Sequence, residues 1–160
     1  MRSWLVAQYD YLLKNHSFIF RIEQNLCYRG KRGVQQEGEN EMDKVNVKEK
    51  LKKFEQLWNP KIIGEMNELY IKVAKLKGEF VWHHHDNEDE MFYVVKGKLV
   101  IKMRNKDIQL EEGEFYIIPK GIEHLPVAEE EVHVMLFEPK STLNTGNLRN
   151  ERTQDNLDWI

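Results

Sequence analysis

A series of short apolar runs, each followed by a turn signal, constrains the fold of this chain most strongly. From residue 60 onward these runs alternate with turn dipeptides such as Lys77-Gly78, Lys96-Gly97 and Glu112-Gly113. The predicted strands are 67–76, 79–85, 90–95, 98–103, 107–110, 114–118, 124–127 and 131–137. About eight short strands at near-regular spacing are typical of a closed barrel or jelly roll. The sequence therefore predicts an all-β fold.

The segment immediately before the strands predicts a short N-terminal helix. Asn46 and Glu49 fit a capping box, in which two side chains satisfy the free backbone amides at the start of a helix. The chain then reaches Asn59-Pro60, and the residue before a proline disfavours helical backbone. Between these points apolar residues repeat at helical spacing, at Val47, Leu51, Phe54 and Trp58. We therefore predict a helix within residues 42–59.

The two ends of the chain differ in character from the strand-rich region at residues 60–139. Residues 1–41 end in a polar stretch rich in Gly and Glu. We predict that they are an N-terminal extension, either disordered or translated from upstream of a native start at Met42. A genuine N-terminal arm that docks onto a partner is the alternative. Residues 140–160 are a polar tail whose end we expect to be held on the barrel by Leu157, Trp159 and Ile160.

Composition and charge exclude several classes of function. The formal net charge of −3, without a basic face, argues against nucleic acid or an anionic membrane as the main partner. No apolar run approaches the roughly 20 residues of a membrane span. The single cysteine, Cys27, cannot form an internal disulfide, which is typical of proteins in a reducing compartment. We predict a cytoplasmic protein whose partner is a small-molecule ligand or substrate.

Three consecutive histidines precede an acidic turn at residues 86–89. Because side chains alternate along a strand, His83 and His85 share one face while His84 lies on the other. Glu90 opens the next strand beside the first two histidines. The following positions on the same face are Phe92 and Val94. If this face is the barrel interior, two imidazoles and a carboxylate converge there.

Such a group of side chains is typical of a metal site. Imidazole and carboxylate ligands suit borderline divalent ions of the first transition row and zinc. A fourth ligand candidate is His124, which follows the tight turn Pro119-Lys120-Gly121 and begins a strand of its own. The alternative is a solvent-exposed hairpin whose charged side chains are hydrated and bind no metal. The alternation of the histidines and the turn lengths favour the metal site.

Two motifs in this region resemble those of the cupin family. The first has a glycine, a spacer, H-x-H, four residues, E, six residues and a glycine, read here as Gly78, His83, His85, Glu90 and Gly97. The second has a glycine, five residues, P-x-G, two residues and H, read here as Gly113, Pro119, Gly121 and His124. The first spacer is four residues instead of the usual five, and Ala128 stands where cupins often have asparagine.

The resemblance covers about residues 60–139 and implies a double-stranded β-helix, or jelly-roll, barrel. It also implies a divalent transition metal (Fe, Mn, Ni or Zn) held by His83, His85, Glu90 and His124. A homodimer is a further expectation from the family. Sheet edges and a polar tail that crosses to a neighbour would support such a dimer.

Other polar residues have weaker arguments. His133 alternates with Val132 and Val134, so it faces away from them, and it is a candidate for contacting a metal ligand or a pocket. No spacing supports the remaining candidates for acid–base chemistry, which are Glu65, Tyr70, Tyr93, Tyr116 and Glu123. The acidic turn is not a calcium loop, because Met91 stands where an EF-hand requires glycine. Cys27 has no histidine near it in sequence to activate it as a nucleophile.

The predicted centre admits three kinds of function. A metal-dependent enzyme is the first, of the dioxygenase type or of the type that isomerises sugars or keto acids, both of which the resemblance allows. A non-catalytic module that binds a small ligand or a metal is the second, and the scarcity of acid–base groups supports it. A scaffold that the metal only stabilises is the third. We favour the enzyme.

Overall fold

The computed structural model of this protein describes residues 44–160. Within that range one helix, α1 (Val47–Leu51), precedes the strands. The strands are β1 (Lys61–Met66), β2 (Leu69–Glu79), β3 (Glu90–Lys96), β4 (Leu99–Met103), β5 (Asp107–Leu110), β6 (Phe115–Ile118) and β7 (His124–Pro139). The all-β prediction is therefore confirmed. The predictions for residues 1–41 and Cys27 lie outside the described residues.

The long strand β7 organises the sheet. Its beginning pairs with β4, and its later part pairs with β2 on one side and β3 on the other, always antiparallel. The path through the sheet runs β1-β2-β7-β3-β6, with β5 attached to β4. Strand β7 thus connects β4 and β5 to the other strands. His124 at its start and Leu136 and Glu138 near its end are all buried in the interior.

The predicted strand pattern differs from the structure at three places. Strand β1 (Lys61–Met66) was not predicted, because the first predicted strand begins at residue 67. The break predicted between 124–127 and 131–137 does not exist, because β7 continues through Glu129, Glu130 and Glu131. These three glutamates are exposed beside a register shift opposite Leu76 and Gly78, so their polarity reflects an outer corner of the barrel and not a turn. The predicted strand 79–85 is regular only to Glu79, and beyond it His83 makes an isolated bridge.

Alternate residues of β3 and β4 face the interior. In β3 and β4 every second residue is buried, which confirms the inward prediction for Phe92 and Val94. Of the two isoleucines in β6, Ile118 is 2% exposed and Ile117 is 49% exposed. The barrel core contains, among others, Ala74, Leu76, Phe92, Val94, Leu99, Ile101, Ile118, Val134 and Leu136.

Helix α1 is shorter than predicted. It begins at the expected cap, where the Glu49 amide donates to Asn46 Oδ1 at 3.2 Å, but it ends at Leu51 and not near residue 59. Beyond it, Leu57 forms a parallel bridge to Lys75 and the Trp58 amide donates to the Lys75 carbonyl at 2.9 Å. Pairing with β2 therefore satisfies the backbone that a longer helix would have used. The apolar spacing that suggested a helix reflects packing on the sheet.

The C-terminal tail folds back onto its own barrel. The Ile62 amide donates to the Asp158 backbone carbonyl at 2.9 Å, and the Ile160 amide donates to the Ile62 carbonyl at 3.1 Å. The Trp159 ring meets the Tyr70 ring edge-on at 5.9 Å. These contacts attach Asp158, Trp159 and Ile160, at the end of the tail, to β1 and β2. None of the helices in residues 44–160 is long and apolar enough to cross a membrane.

Candidate metal centre

The structure brings the four predicted ligands together. His83 and His85 lie between β2 and β3, Glu90 is the first residue of β3, and His124 is the first residue of β7. Their ligand atoms all lie within 4.8 Å of one another. All four side chains are buried, and His124 is fully inaccessible to solvent. Four buried polar groups at one point need a partner, because burial without one is costly.

The backbone fixes where these side chains start. His83 and His124 exchange two backbone hydrogen bonds, of 3.0 and 2.9 Å, which places their rings 4.2 Å apart. The carbonyl of His85 accepts from the Gly121 amide at 2.7 Å. The turn that contains Gly121 therefore positions two ligands, its neighbour His124 directly and His85 through this bond.

Two of the histidines have their tautomer set by backbone carbonyls. His83 Nδ1 lies 3.0 Å from the Val81 carbonyl oxygen, and His124 Nδ1 lies 3.0 Å from that of Ile122. A carbonyl oxygen only accepts, so each Nδ1 carries the proton and each Nε2 has a free lone pair. Fixing the tautomer in this way is the usual arrangement of a histidine that binds a metal.

Three atoms at the centre are buried and receive no hydrogen bond from the described residues: His85 Nε2, His124 Nε2 and Glu90 Oε2. Glu90 Oε2 lies 3.2 Å from His124 Nε2 and 3.4 Å from His85 Nε2. Because His124 carries its proton on Nδ1, its Nε2 is an acceptor, as is Glu90 Oε2. The contact between these two atoms is therefore not a hydrogen bond. Leaving a buried polar group unsatisfied costs about 1–3 kcal/mol. A divalent cation among these atoms would remove that cost, so the residues fit a metal.

The electrostatics favour ligand-competent protonation states at Glu90 and His83. Burial raises the pKa of Glu90, but His124 and His85 outweigh it and hold that pKa well below its usual value. Burial, with the neighbouring His124, lowers the pKa of His83 to about 4. Burial lowers the pKa of His85 as well, but Glu90 outweighs it, so the net shift is upward. Metal ligands must be ionised carboxylates and neutral imidazoles, which is the state of Glu90 and His83 near neutral pH.

A cavity of about 30 Å³ adjoins the centre and is lined by both His83 and Glu90. Aromatic side chains form one wall, with Trp58 stacked on Phe80 at 4.9 Å and Phe80 edge-on to His83 at 5.4 Å. Trp58 has φ +56°, a backbone conformation that is uncommon for a bulky residue. The remaining lining residues include Phe92, Leu136, Glu138 and Asn144.

A second buried charged group lines this cavity and was missed in the sequence. Glu138 Oε1 accepts from Lys72 Nζ at 2.7 Å, and each side chain is only 1% exposed. Glu138 Oε2 receives no hydrogen bond from the described residues. Burial, then the charge of Glu90, raises the pKa of Glu138 to about 7 despite Lys72. The available signal was strand alternation, since Val134, Leu136 and Glu138 fall on one face of β7.

The other residues considered in the sequence lie away from the cavity. His84 faces outward and contacts Asp86 at 3.0 Å, as the alternation predicts. His133 is on the outer face and contacts Glu131 at 2.8 Å. Three of the acid–base candidates interact on the barrel's exterior: Glu65 with Lys140, Tyr70 with Trp159, and Glu123 with Arg104. Tyr116 packs against the barrel core, and Lys106 lies over its ring. The fifth, Tyr93, is half-buried at an outward position of β3.

Comparisons with known sequences agree with this geometry. The profile of the cupin domain matches residues 70–138. The chain is 38% identical over 63 residues to the uncharacterised protein YdbB of Bacillus subtilis, covering 39% of this chain and 56% of that protein. It is 28% identical over 83 residues to 3-hydroxyanthranilate 3,4-dioxygenase of Ruegeria pomeroyi, covering 49% of this chain and 42% of the enzyme. The chain thus spans about half of the length of these relatives.

Two solved structures are matched over nearly their whole length. A cupin-2 domain containing protein from Shewanella frigidimarina is 47% identical with a TM-score of 0.59, and the match covers 60% of this chain and 94% of that one. A protein from Neisseria meningitidis is 26% identical with a TM-score of 0.57, covering 61% of this chain and all of that one. With both motifs, the barrel and these matches in agreement, the chain belongs to the cupin family.

Proposed function

We propose that the protein is a metal-dependent enzyme that acts on a small molecule beside its four-residue centre. One observation carries the proposal: four buried ligand atoms lie within 4.8 Å of one another. Three buried atoms of this group receive no hydrogen bond from the described residues. An apolar core would hold a barrel of this kind together without them, so their convergence supports a bound ion.

The donor set narrows the metal and its chemistry. Three neutral imidazoles and one carboxylate suit Fe, Mn, Ni or Zn and leave a divalent ion with a net positive charge. When bound, such an ion polarises an oxygen of the substrate, acidifies a water or, as iron, engages dioxygen. Similarity to 3-hydroxyanthranilate 3,4-dioxygenase supports the oxygenase type and hence iron. An isomerase of sugars or keto acids is the second candidate, because the same ligand set suits it.

The chain's own residues would orient the substrate. The stacked pair Trp58 and Phe80 offers a flat apolar wall, which suits an unsaturated or ring-shaped group. Glu138, which also lines the cavity, belongs to a buried ion pair in which Lys72 Nζ donates to Glu138 Oε1 at 2.7 Å. Glu138 Oε2 is then free to accept a hydrogen bond or a proton from a substrate hydroxyl or amine. The cavity of about 30 Å³ has room for one or two waters, so a larger substrate must displace part of its wall.

Oxygen consumption tests this proposal. Protein loaded anaerobically with Fe²⁺ is mixed with phenols, aminophenols, keto acids or diols, and oxygen uptake is recorded. We expect uptake with one of these classes, its loss in His124→Ala, and a decrease of about 100-fold or more in Glu138→Gln. Parallel samples loaded with Ni²⁺ or Zn²⁺ are tested for isomerisation of sugars and keto acids.

A non-catalytic module that binds a small ligand or a metal is the alternative. It is supported by the few polar groups at the cavity, where Glu138 and Asn144 are the polar lining residues beyond the ligands. Calorimetry with the same compounds separates the two. Saturable binding of a compound, with no turnover of it by the Fe²⁺, Ni²⁺ or Zn²⁺ form, would favour the module and contradict the enzyme.

We also propose that the protein is a cytoplasmic homodimer. Edge strand β6 presents Phe115 and Ile117, which are 58% and 49% exposed, and such apolar residues on a sheet edge support self-association. Sedimentation velocity at micromolar concentration tests the dimer. A monomer at every concentration, with Phe115→Ser indistinguishable from the wild type, would contradict it.

A further inference from the structure

We infer that a C-terminal loop, residues 142–148, positions the metal-binding histidines. This loop lies beyond residues 70–138, the part of the chain that matches the cupin domain. The inference rests on the proposed function, because it assumes that His83 and His85 bind a metal. It assigns a role to a segment that the sequence analysis describes only as a polar tail.

The segment that carries the two histidines has little regular structure of its own. Between Glu79 and Glu90 only His83 makes a strand-like bridge. The backbone of His83 pairs with His124, and the carbonyl of His85 accepts from Gly121. In an extended chain, the backbone groups of consecutive residues point to opposite edges. His84 therefore directs its amide and carbonyl away from these partners.

Asn147 binds both of these groups. The amide of His84 donates to Asn147 Oδ1 at 3.1 Å, and the amide of Asn147 donates to the carbonyl of His84 at 2.9 Å. The backbone is thus held from one edge at His83 and His85 and from the other edge at His84. A rotation of this backbone would turn both imidazoles away from Glu90, and Asn147 opposes that rotation.

Gly146 allows the loop to approach this closely. It has φ +55°, and a Cβ atom there would lie 2.1 Å from the carbonyl oxygen of His84 and 3.2 Å from Cδ2 of His83. The first distance is far below any real contact and involves backbone, so a side chain at this position must push the loop away. The loop therefore packs directly against the ring of His83 as well as against the backbone of His84.

The loop has enough internal structure to act as a fixed support. Thr145 is fully buried, and its hydroxyl donates to the Leu148 carbonyl at 2.8 Å. The side chain of Asn144 donates to the Arg152 carbonyl and accepts from the Gln154 amide, each at 2.8 Å. Asn144 also lines the cavity beside the metal centre. One loop thus supports the ligand segment and forms part of the cavity wall.

A matched pair of glycine substitutions separates positioning from general stability. Gly113 also has a positive φ, of +89°, but a Cβ there has no atom within 4 Å. Gly146→Ala and Gly113→Ala therefore both introduce backbone strain, while only the first pushes the loop off His84. We would measure the affinity of each variant for Zn²⁺ by chelator competition, and the visible absorption of each after loading with Co²⁺, which reports ligand geometry.

We expect Gly146→Ala to lose about tenfold or more in Zn²⁺ affinity, the size typical of groups that orient metal ligands, and to change the Co²⁺ spectrum. Gly113→Ala should keep wild-type affinity within about twofold. Asn147→Ala, which loses the acceptor for His84, should behave like Gly146→Ala, and Asn147→Asp, which keeps a side-chain oxygen, should recover most of the affinity. The Asn147 pair decides the question if Gly146→Ala does not fold.

The outcomes distinguish this inference from the function on which it rests. Wild-type protein that binds neither ion would contradict the metal centre itself. Wild-type protein that binds both ions, with folded Asn147→Ala of equal affinity and identical Co²⁺ spectrum, would overturn the role of the loop while leaving the metal centre intact.

Discussion

Two groups of buried charges lie on adjacent strands of the same barrel, and only one of them is balanced. Glu138, near the end of β7, has Lys72 Nζ at 2.7 Å. Glu90, at the start of β3, is surrounded by His83, His85 and His124. Both carboxylates are almost inaccessible to solvent. The ion pair contains its own cation, whereas the histidine group has only weak bases to neutralise its carboxylate.

The difference explains what each group requires. A buried ion pair costs desolvation, which the attraction between its members offsets when the geometry is good, so Glu138 has its cation, Lys72, within the chain, even though its Oε2 receives no hydrogen bond from the described residues. At the other group, the pKa of His83 is lowered to about 4, so this imidazole supplies no positive charge near neutral pH, although Glu90 raises the pKa of His85. Three buried atoms of the histidine group receive no hydrogen bond from the described residues, against one in the ion pair, and this difference is the physical basis for assigning the metal to Glu90 and not to Glu138.

The largest expected effect comes from breaking the balanced pair. Lys72→Met leaves Glu138 buried without its cation, and we expect a loss of about 3–5 kcal/mol in the free energy of unfolding. The double variant Lys72→Met/Glu138→Leu should recover most of that loss, because it leaves no buried charge. Urea unfolding of the metal-free proteins measures both. A loss below about 1 kcal/mol for the single variant would mean that the pair is not buried as described.

Removing a ligand from the unbalanced group should affect metal binding and leave the fold intact. His124→Ala deletes a fully buried ligand at the start of β7, and we expect Zn²⁺ affinity to fall by about 100-fold or more, at or beyond the upper end of the effect of groups that only orient ligands. His83→Ala should behave alike. Chelator competition gives the affinity, and circular dichroism checks the fold. Wild-type affinity in either folded variant would remove that residue from the site.

The pH dependence of stability gives a smaller effect that isolates Glu138. Its folded-state pKa of about 7 lies above the value of 4.5 expected in the unfolded chain. The folded form therefore binds more protons, and the stabilising contribution is present below about pH 4.5 and lost as the pH rises towards 7. In the absence of metal, the free energy of unfolding of Glu138→Gln, relative to that of the wild type, should increase as the pH rises from about 4.5 to about 7. A stability difference between the two proteins that is constant over pH would contradict the raised pKa.

His84→Ala should have the smallest effect, although it changes the middle residue of the three histidines. The imidazole of His84 points outward to Asp86, and the contact of this residue with Asn147 uses only its backbone. We expect Zn²⁺ affinity within about twofold of the wild type. A tenfold loss would show that the outer face also contributes to the centre.

Three of the four candidate ligands were accessible from the sequence because short-range rules place them, whereas His124, which meets His83 through a long-range bridge, was accessible only through the second motif. Alternation puts His83 and His85 on one face, and a turn of known length brings Glu90 beside them. The pair Lys72 and Glu138 was not accessible in the same way, since its members are 66 residues apart and meet only through the pairing of β2 with β7. Strand alternation in β7 indicated that Glu138 faces inward, but nothing in the sequence indicated that Lys72 is its partner.

Other features were missed because one pattern fits two structures. Phe54 and Trp58 have helical spacing, yet Phe54 is buried under the sheet and Trp58 forms the cavity wall. The loop at residues 142–148 has no periodicity at all. Its contact with His84 depends on the long-range path of the tail, and Gly146 was its only sequence signal.

Metal content per chain tests the central claim most directly. Protein purified without a histidine tag, and His124→Ala prepared in the same way, are analysed by inductively coupled plasma mass spectrometry before and after reconstitution with Fe²⁺, Mn²⁺, Ni²⁺ or Zn²⁺. We predict about one divalent ion per wild-type chain and close to none in the variant. A wild-type protein that holds none of these metals after reconstitution would contradict the assignment of His83, His85, Glu90 and His124 as a metal centre.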